Sequence, residues 1–454
     1  MSASRTTSLM TDMYELTMID ATLRTERAHR LSTFELFGRR LPSLRRFGVV
    51  AGTARILEAL QRFEFTADDC DYLHAQKIVS DDTIDYLRSY RFTGTIRGYR
   101  EGECYFENSP LLSVESTFAE AVVLETLLLS ILNHDCAIAS AASRMTIAAH
   151  GRPCLDMGAR RTHERAAISA ARAAYIGGFV ATSLLEAGKR YGLKTIGTAA
   201  HSFTLLHDNE EQAFAAQVAA LGPDTTLLVD TYDVMRGVER AVNAARAAGG
   251  ELGAVRLDSG DLVAQAFKVR ARLDELGATS TKITVTNDLD EYAIASLGAA
   301  PVDAYGVGTK MVTGSGIPTA ALVYKLVQHV DSDGSAHNVA KRSGKKSTVG
   351  GRKYPGRARD EDGYAQAELL VIADSAQEAQ KVLKERNARP LHVDLVTDGV
   401  INEKYIGSQA LQDAQDHHMA ARNELPYQAW RLSAGEPAIP TEYIDIVHRE
   451  TEME

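Results

Sequence analysis

Between residues 150 and 330 the chain alternates short apolar, β-branched runs that end in Gly, Asp or Thr with Ala-, Glu- and Arg-rich stretches of helical length. The strand candidates are 154–157, 195–198, 226–230, 254–257, 283–286, 303–307 and 320–326. Alternation of this kind implies parallel strands joined by crossover helices, and so long a series suits a closed barrel better than a small open sheet. The expected fold is α/β, an irregular TIM-like (β/α) barrel over 131–330. A strand-rich α+β domain over 1–130 precedes it, because 92–114 is rich in Gly, aromatic and alternating residues such as Thr93-Gly94-Thr95-Ile96-Arg97-Gly98-Tyr99. A C-terminal segment, 331–454, is expected to pack back on that N-terminal domain.

A chain of 454 residues, 45% of them hydrophobic, can bury a core for a barrel and a smaller domain. Its formal net charge of -10 argues against a nucleic-acid partner, whose footprint would be basic. An anionic substrate must therefore be held by local basic groups. Cys70, Cys104, Cys136 and Cys154 form no C-x-x-C pair and fit neither a zinc site nor a disulfide framework, so free thiols in a reducing cytoplasm are expected. Residues 1–12 lack a basic region followed by an apolar one, and the apolar run 119–132 is interrupted by Glu120 and Glu125. Neither an export signal nor a membrane partner is expected.

In parallel α/β proteins catalytic groups collect at the C-terminal ends of strands. Gly197-Thr198-Ala199-Ala200-His201-Ser202-Phe203 places a histidine after a short apolar run, among small residues that admit phosphate groups. Ala254-Val255-Arg256-Leu257-Asp258-Ser259-Gly260-Asp261 repeats the pattern, with an arginine for phosphate and an aspartate for sugar hydroxyls. Asp156-Met157-Gly158-Ala159-Arg160-Arg161 offers an anion clamp, since guanidinium donors match carboxylate or phosphate oxygens. Bland readings stand beside these: 258–261 is also a helix cap, His201 also a packed histidine, and Arg160-Arg161 also a solvated pair.

Tyr305-Gly306-Val307-Gly308-Thr309-Lys310 and Thr313-Gly314-Ser315-Gly316 follow a late strand, where barrels bind phosphate through backbone N–H groups. Neither is a dinucleotide fingerprint, because Met311 stands in the third glycine's place. Gly344-Lys345-Lys346-Ser347 is not a Walker A loop, because Val339 replaces its first glycine.

These segments, with Thr11-Asp12-Met13-Tyr14-Glu15-Leu16-Thr17-Met18 and Phe34-Glu35-Leu36 ahead of them, resemble in this order the nicotinate phosphoribosyltransferase family over nearly the whole length. The resemblance implies a type II phosphoribosyltransferase barrel that works as a homodimer with shared active sites. Its substrates would be nicotinate and phosphoribosyl pyrophosphate, its products nicotinate mononucleotide and pyrophosphate, with coupled ATP hydrolysis and Mg²⁺, in NAD salvage. By the same resemblance Tyr14 would stack on the pyridine ring from the partner subunit, and Arg160 would pair with the nicotinate carboxylate. Arg256 and Asp258 would hold phosphate and ribose, Gly308 and Thr309 would cradle the 5′-phosphate, and His201 would be phosphorylated. Ser183 would favour the acid, since nicotinamide-using relatives are expected to carry an aspartate there. The basic loop Lys341–Lys346, with Arg352-Lys353, could close over the phosphates. Rival readings are a nicotinamide phosphoribosyltransferase, a non-catalytic phosphometabolite-binding barrel and a Schiff-base lyase using Lys310.

Overall fold

The computed structural model describes residues 6–341 and 348–447. The chain forms two compact units: one comprises residues up to Ser140 and from Thr319 onward, the other Ala141–Pro318.

The first unit is built on a seven-stranded antiparallel sheet. Its strands lie in the order Ala336–Asn338, Leu322–Val330, Leu31–Gly38, Leu112–Thr117, Thr95–Tyr99, His392–Thr397 and Val400–Ile401. Period-two alternation gives the sheet one apolar and one polar face. The apolar face, with Phe34, Leu36, Leu112 and Val114, shares a core with Leu16, Ile19, Leu57 and Leu128 from helices. Phe34 also stacks on Tyr324 at 4.8 Å between ring centroids. On the polar side the buried Lys353 Nζ donates to Glu35 Oε2 at 2.8 Å. Arg97 of this face lies 5.5 Å from the ring centroid of Tyr354. Lys353 and Tyr354 belong to a second, four-stranded sheet of Ala388–Pro390, Lys353–Arg359, Ala365–Ile372 and Thr441–Asp445.

Leu322–Val330 corrects one expectation. The candidate at 320–326 is no barrel strand; it pairs antiparallel with Leu31–Gly38, in register Phe34↔Leu326 and Leu36↔Tyr324. Its alternation of buried Tyr324 with half-buried Val323 and Lys325 suits an antiparallel strand with one polar face, whereas parallel strands are covered on both.

The second unit carries a six-stranded parallel sheet in the order Ala181–Thr182, Cys154–Asp156, Ala304–Val307, Lys282–Val285, Ala254–Leu257 and Thr226–Leu228. The first strand in sequence pairs with the last, the circular strand order of a half-barrel with a seam. That seam lies between Ala181–Thr182 and Thr226–Leu228, and among the described residues the ring does not close there. The candidate at 195–198 contributes only a parallel bridge, Thr182↔Thr195. Beyond the bridge, side chains rather than a neighbouring strand take up the chain: Arg256 Nη1 donates to Thr198 Oγ1 at 3.1 Å and to the Ala199 carbonyl at 3.5 Å.

All four cysteines are buried free thiols, and burial pushes Cys154 up to about 12. The run 118–148 is long and apolar enough to cross a membrane, but 67% of its most apolar window is buried inside the protein, as in a core helix.

Candidate active site

The polar groups of the second unit gather at the C-terminal edge of its parallel sheet. Arg256 points out of Ala254–Leu257 and is held at three nitrogens. Its Nε donates to Thr286 Oγ1 at 3.0 Å, Nη1 to Thr198, and Nη2 to Asp258 Oδ1 at 3.0 Å. A guanidinium fixed in this way presents its charge without losing rotamer freedom on binding.

Asp258 also accepts from the Thr286 hydroxyl. Burial pushes its carboxyl up, but Thr286, Arg256 and His201 outweigh it and hold the group below the usual carboxylate range. The helix-cap reading of this segment applies to its neighbour: Asp261 Oδ1 accepts Ala264 N at 3.0 Å and caps Leu262–Glu275, which leaves Asp258 for the site.

His201 opens the helix His201–Leu206, with its ring 40% exposed. Nδ1 is hydrogen-bonded to Thr231 Oγ1 at 3.1 Å, while Nε2 lies 3.9 Å from Asp230 Oδ1 and 4.0 Å from Asp258 Oδ2. Asp230 is buried. Its Oδ2 accepts from Asp258 N at 2.9 Å and Ser259 Oγ at 2.7 Å, whereas Oδ1 has no hydrogen-bond partner among the described residues. Asp230 closes the strand candidate at 226–230, yet nothing in its local sequence marks it, because an aspartate after an apolar run reads as an ordinary turn residue.

Beside this cluster an open pocket of about 250 Å³ is lined by Arg160, Ser183, Ile196, Thr198 and Arg256, among others. A Cβ added at Gly197, which also lines it, would meet no atom within 4 Å, so the motif leaves room for a ligand. Arg160 has no carboxylate partner among the described residues. The turn that carries it is set by Asp156, whose buried carboxylate accepts Gly158 N at 2.7 Å and Thr182 Oγ1 at 2.6 Å. Burial pushes the Asp156 carboxyl up. Ser183 N donates to the Asp156 carbonyl at 2.8 Å, so Arg160 and Ser183 are located by the same residue.

Gly308 and Thr309 adjoin that turn without lining the pocket. Met157 N donates to the Val307 carbonyl at 2.8 Å, and a Cβ at Gly158 would lie 2.3 Å from Val312 Cγ1 and 3.1 Å from the Gly308 carbonyl. Only glycine allows the two turns this approach.

The structure therefore brings together Arg160, Ser183 and Arg256 at one pocket, with Asp258 and His201 at its side. Tyr14 belongs to the other unit, on the helix Met13–Arg24, half exposed, with its phenol pushed up by burial and by Glu125. Of the basic loop, 342–347 lie outside the described residues. Arg352 and Lys353 are no phosphate clamp: Arg352 Nη1 lies 3.4 Å from Glu115 Oε2, and Lys353 is buried on Glu35.

Known proteins resemble this chain over most of its length. The model of the nicotinate phosphoribosyltransferase N-terminal domain matches residues 9–133. A nicotinate phosphoribosyltransferase of Mycobacterium tuberculosis (strain ATCC 25618 / H37Rv) is 52% identical over 444 residues, covering 96% of this chain and 95% of that protein. One from Bacillus subtilis (strain 168) is 38% identical over 394 residues, covering 85% and 80%. The fold matches the crystal structure of human nicotinic acid phosphoribosyltransferase with a TM-score of 0.78 at 24% identity, over 96% of this chain and 97% of that one. The chain belongs to the nicotinate phosphoribosyltransferase family.

Proposed function

We propose that the protein joins nicotinate to phosphoribosyl pyrophosphate, giving nicotinate mononucleotide and pyrophosphate in NAD salvage, with ATP hydrolysis coupled through His201. The observation that carries this reading is the run of Arg160, Arg256, Asp258, Asp230 and His201 along one edge of strands in barrel order. The open seam in the sheet is read as the irregularity of a type II phosphoribosyltransferase barrel.

Arg160, with no carboxylate partner of its own, pairs with the nicotinate carboxylate, and Ser183 leaves that end of the pocket free of negative charge. The ring nitrogen forms its bond to the anomeric carbon of the ribose as the bond to pyrophosphate breaks, so positive charge grows on the sugar. Asp258, kept ionised by its partners, stabilises that charge and accepts the ribose hydroxyls, while Arg256 holds a phosphate. Backbone N–H groups of Gly308 and Thr309 hold the 5′-phosphate. Mg²⁺ would supply a Lewis acid for the leaving pyrophosphate, and the unpartnered Asp230 Oδ1 beside Asp258 fits its preference for one or two carboxylates plus substrate oxygens.

For the coupling, a ring nitrogen of His201 takes the terminal phosphoryl group of ATP, releasing ADP, and water later removes it as phosphate. The added charge beside Arg256 shifts substrate and product affinities differently, which is what coupling requires. We further propose a cytoplasmic homodimer in which Tyr14 stacks on the pyridine ring bound by the neighbouring subunit. The exposed Leu9, Met10 and Met13 around Tyr14 support a covering partner there. The test is pyrophosphate release with nicotinate or nicotinamide, with and without ATP. Release that needs neither pyridine, or an amide preference, would overturn the reading.

A further inference from the structure

The first unit holds a second pocket, of about 330 Å³, that none of the chemistry above uses. Sheet register sets Gln328, Thr33, Glu115 and Thr95 in one row across four adjacent strands, and all four line it. Thr33 is 5% exposed and lines the pocket. Thr95 Oγ1 accepts from Asp398 N at 3.3 Å and keeps its own proton to donate. Glu115 stands between two guanidinium groups, accepting from Arg97 Nη2 and lying 3.4 Å from Arg352 Nη1. The buried Nε of Arg352 has no hydrogen-bond partner among the described residues.

A polar pocket of this size that opens to solvent is filled with water. A ligand must replace the hydrogen bonds of the waters it displaces. The lining dictates which ligand can. Glu115 already balances Arg352 and Asp398 adds a negative charge, so no surplus cation remains for a phosphate or carboxylate. The lining contains no aromatic side chain, so a pyridine or purine would find no stacking surface. Hydroxyl donors, a carboxylate acceptor and a guanidinium side by side match vicinal hydroxyl groups, each of which both donates and accepts.

We propose that this pocket binds a neutral, monosaccharide-sized polyol, as a site separate from the one on the parallel sheet. The test uses the full chain with ribose and myo-inositol as probes, followed by saturation-transfer NMR. Thr33→Val removes one lining hydroxyl at almost constant shape, and Thr95→Val removes another on the far side of Glu115. Thr95→Val serves alone if Thr33→Val does not fold. The expected result is transfer to at least one polyol in the wild type and binding about fivefold weaker in a folded variant, the worth of one hydrogen bond. Nicotinate with phosphoribosyl pyrophosphate, or inorganic phosphate, should leave the signal unchanged. Absence of transfer, equal transfer in wild type and variants, or displacement by phosphate or by the substrates would each overturn the proposal.

Discussion

Oδ1 of Asp230 lies 3.9 Å from Nε2 of His201, buried and without a hydrogen-bond partner among the described residues, while Oδ2 of the same carboxylate is fully engaged by Asp258 N and Ser259 Oγ. An unsatisfied buried acceptor costs about 1–3 kcal/mol, and a charged one more. A protonated imidazole or a magnesium ion would offset that cost. Asp230 lies between His201 and Asp258, and on the proposed reading it would position the histidine against the aspartate.

Asp230→Asn keeps the shape and removes the charge. Its amide oxygen must stay on the Asp258 side to keep those hydrogen bonds, which turns the amide NH₂ toward His201. Incorporation of acid-labile label from γ-labelled ATP should fall about tenfold, equivalent to about 1.4 kcal/mol. His201→Ala is the reference and should show no label. Wild-type labelling of Asp230→Asn would exclude this role.

Much of this site can be read from the chain, and the remainder depends on long-range contacts. Candidates at 154–157, 226–230, 254–257, 283–286 and 303–307 all contain strands of the parallel sheet, because a parallel strand buried on both faces leaves an apolar run ending at a turn residue. Ala181–Thr182 is too short to leave such a run, and 195–198 looks like a strand whose partner groups are instead met by Arg256. The arginines, His201 and Asp258 stand in recognisable motifs. Asp230, Thr286 and the pairing of Asp156 with Thr182 act through residues 26 to 30 positions away, and no local pattern encodes those pairings.

Gly158→Ala tests the contact between the clamp turn and the phosphate cradle. The new methyl would sit 2.3 Å from Val312 Cγ1, whose side chain is buried, and 3.1 Å from the Gly308 carbonyl. Relief requires the two turns to part, at about 1–3 kcal/mol of stability. Thermal unfolding should shift down, and KM for phosphoribosyl pyrophosphate should rise more than kcat falls. An unchanged KM would mean that the cradle does not depend on this approach.

Stability should carry a signature of Glu15, whose buried carboxyl is pushed up to about 7 chiefly by burial, against hydrogen bonds from Thr11 and Thr126. The unfolded value is about 4.3, so the folded pKa is the higher one. Its contribution is complete below the unfolded value and is lost as pH rises through the folded one. Between pH 5 and pH 8 the wild type should therefore lose about 2–3 kcal/mol relative to Glu15→Gln. Urea unfolding of both proteins at the two pH values measures this, and parallel profiles would refute it.

Ser183→Asp addresses the choice of acid over amide. Ser183 shares the pocket with Arg160, and a carboxylate there would repel nicotinate, compete for Arg160 and accept a hydrogen bond from a carboxamide. The ratio of kcat/KM for nicotinate over nicotinamide should drop by about tenfold, equivalent to about 1.4 kcal/mol of like-charge repulsion. An unchanged ratio would assign selectivity to another position.

The shared site can be tested by mixing inactive partners. Tyr14→Ala should raise KM for nicotinate, because losing the aromatic face costs about 0.5–1.5 kcal/mol beyond the buried area. Arg256→Ala should abolish transfer by removing the group that joins Thr198, Thr286 and Asp258. In a mixed dimer one site draws its tyrosine and its arginine from the two unmutated halves, while the other lacks both. Random re-association makes about half of the dimers mixed, so about a quarter of all sites should be intact. Assayed at nicotinate well below KM, the mixture should exceed the sum of the separate variants by an amount close to that fraction. Activity no greater than that sum, with mixed dimers demonstrated by mass, would mean that each site is built from a single chain.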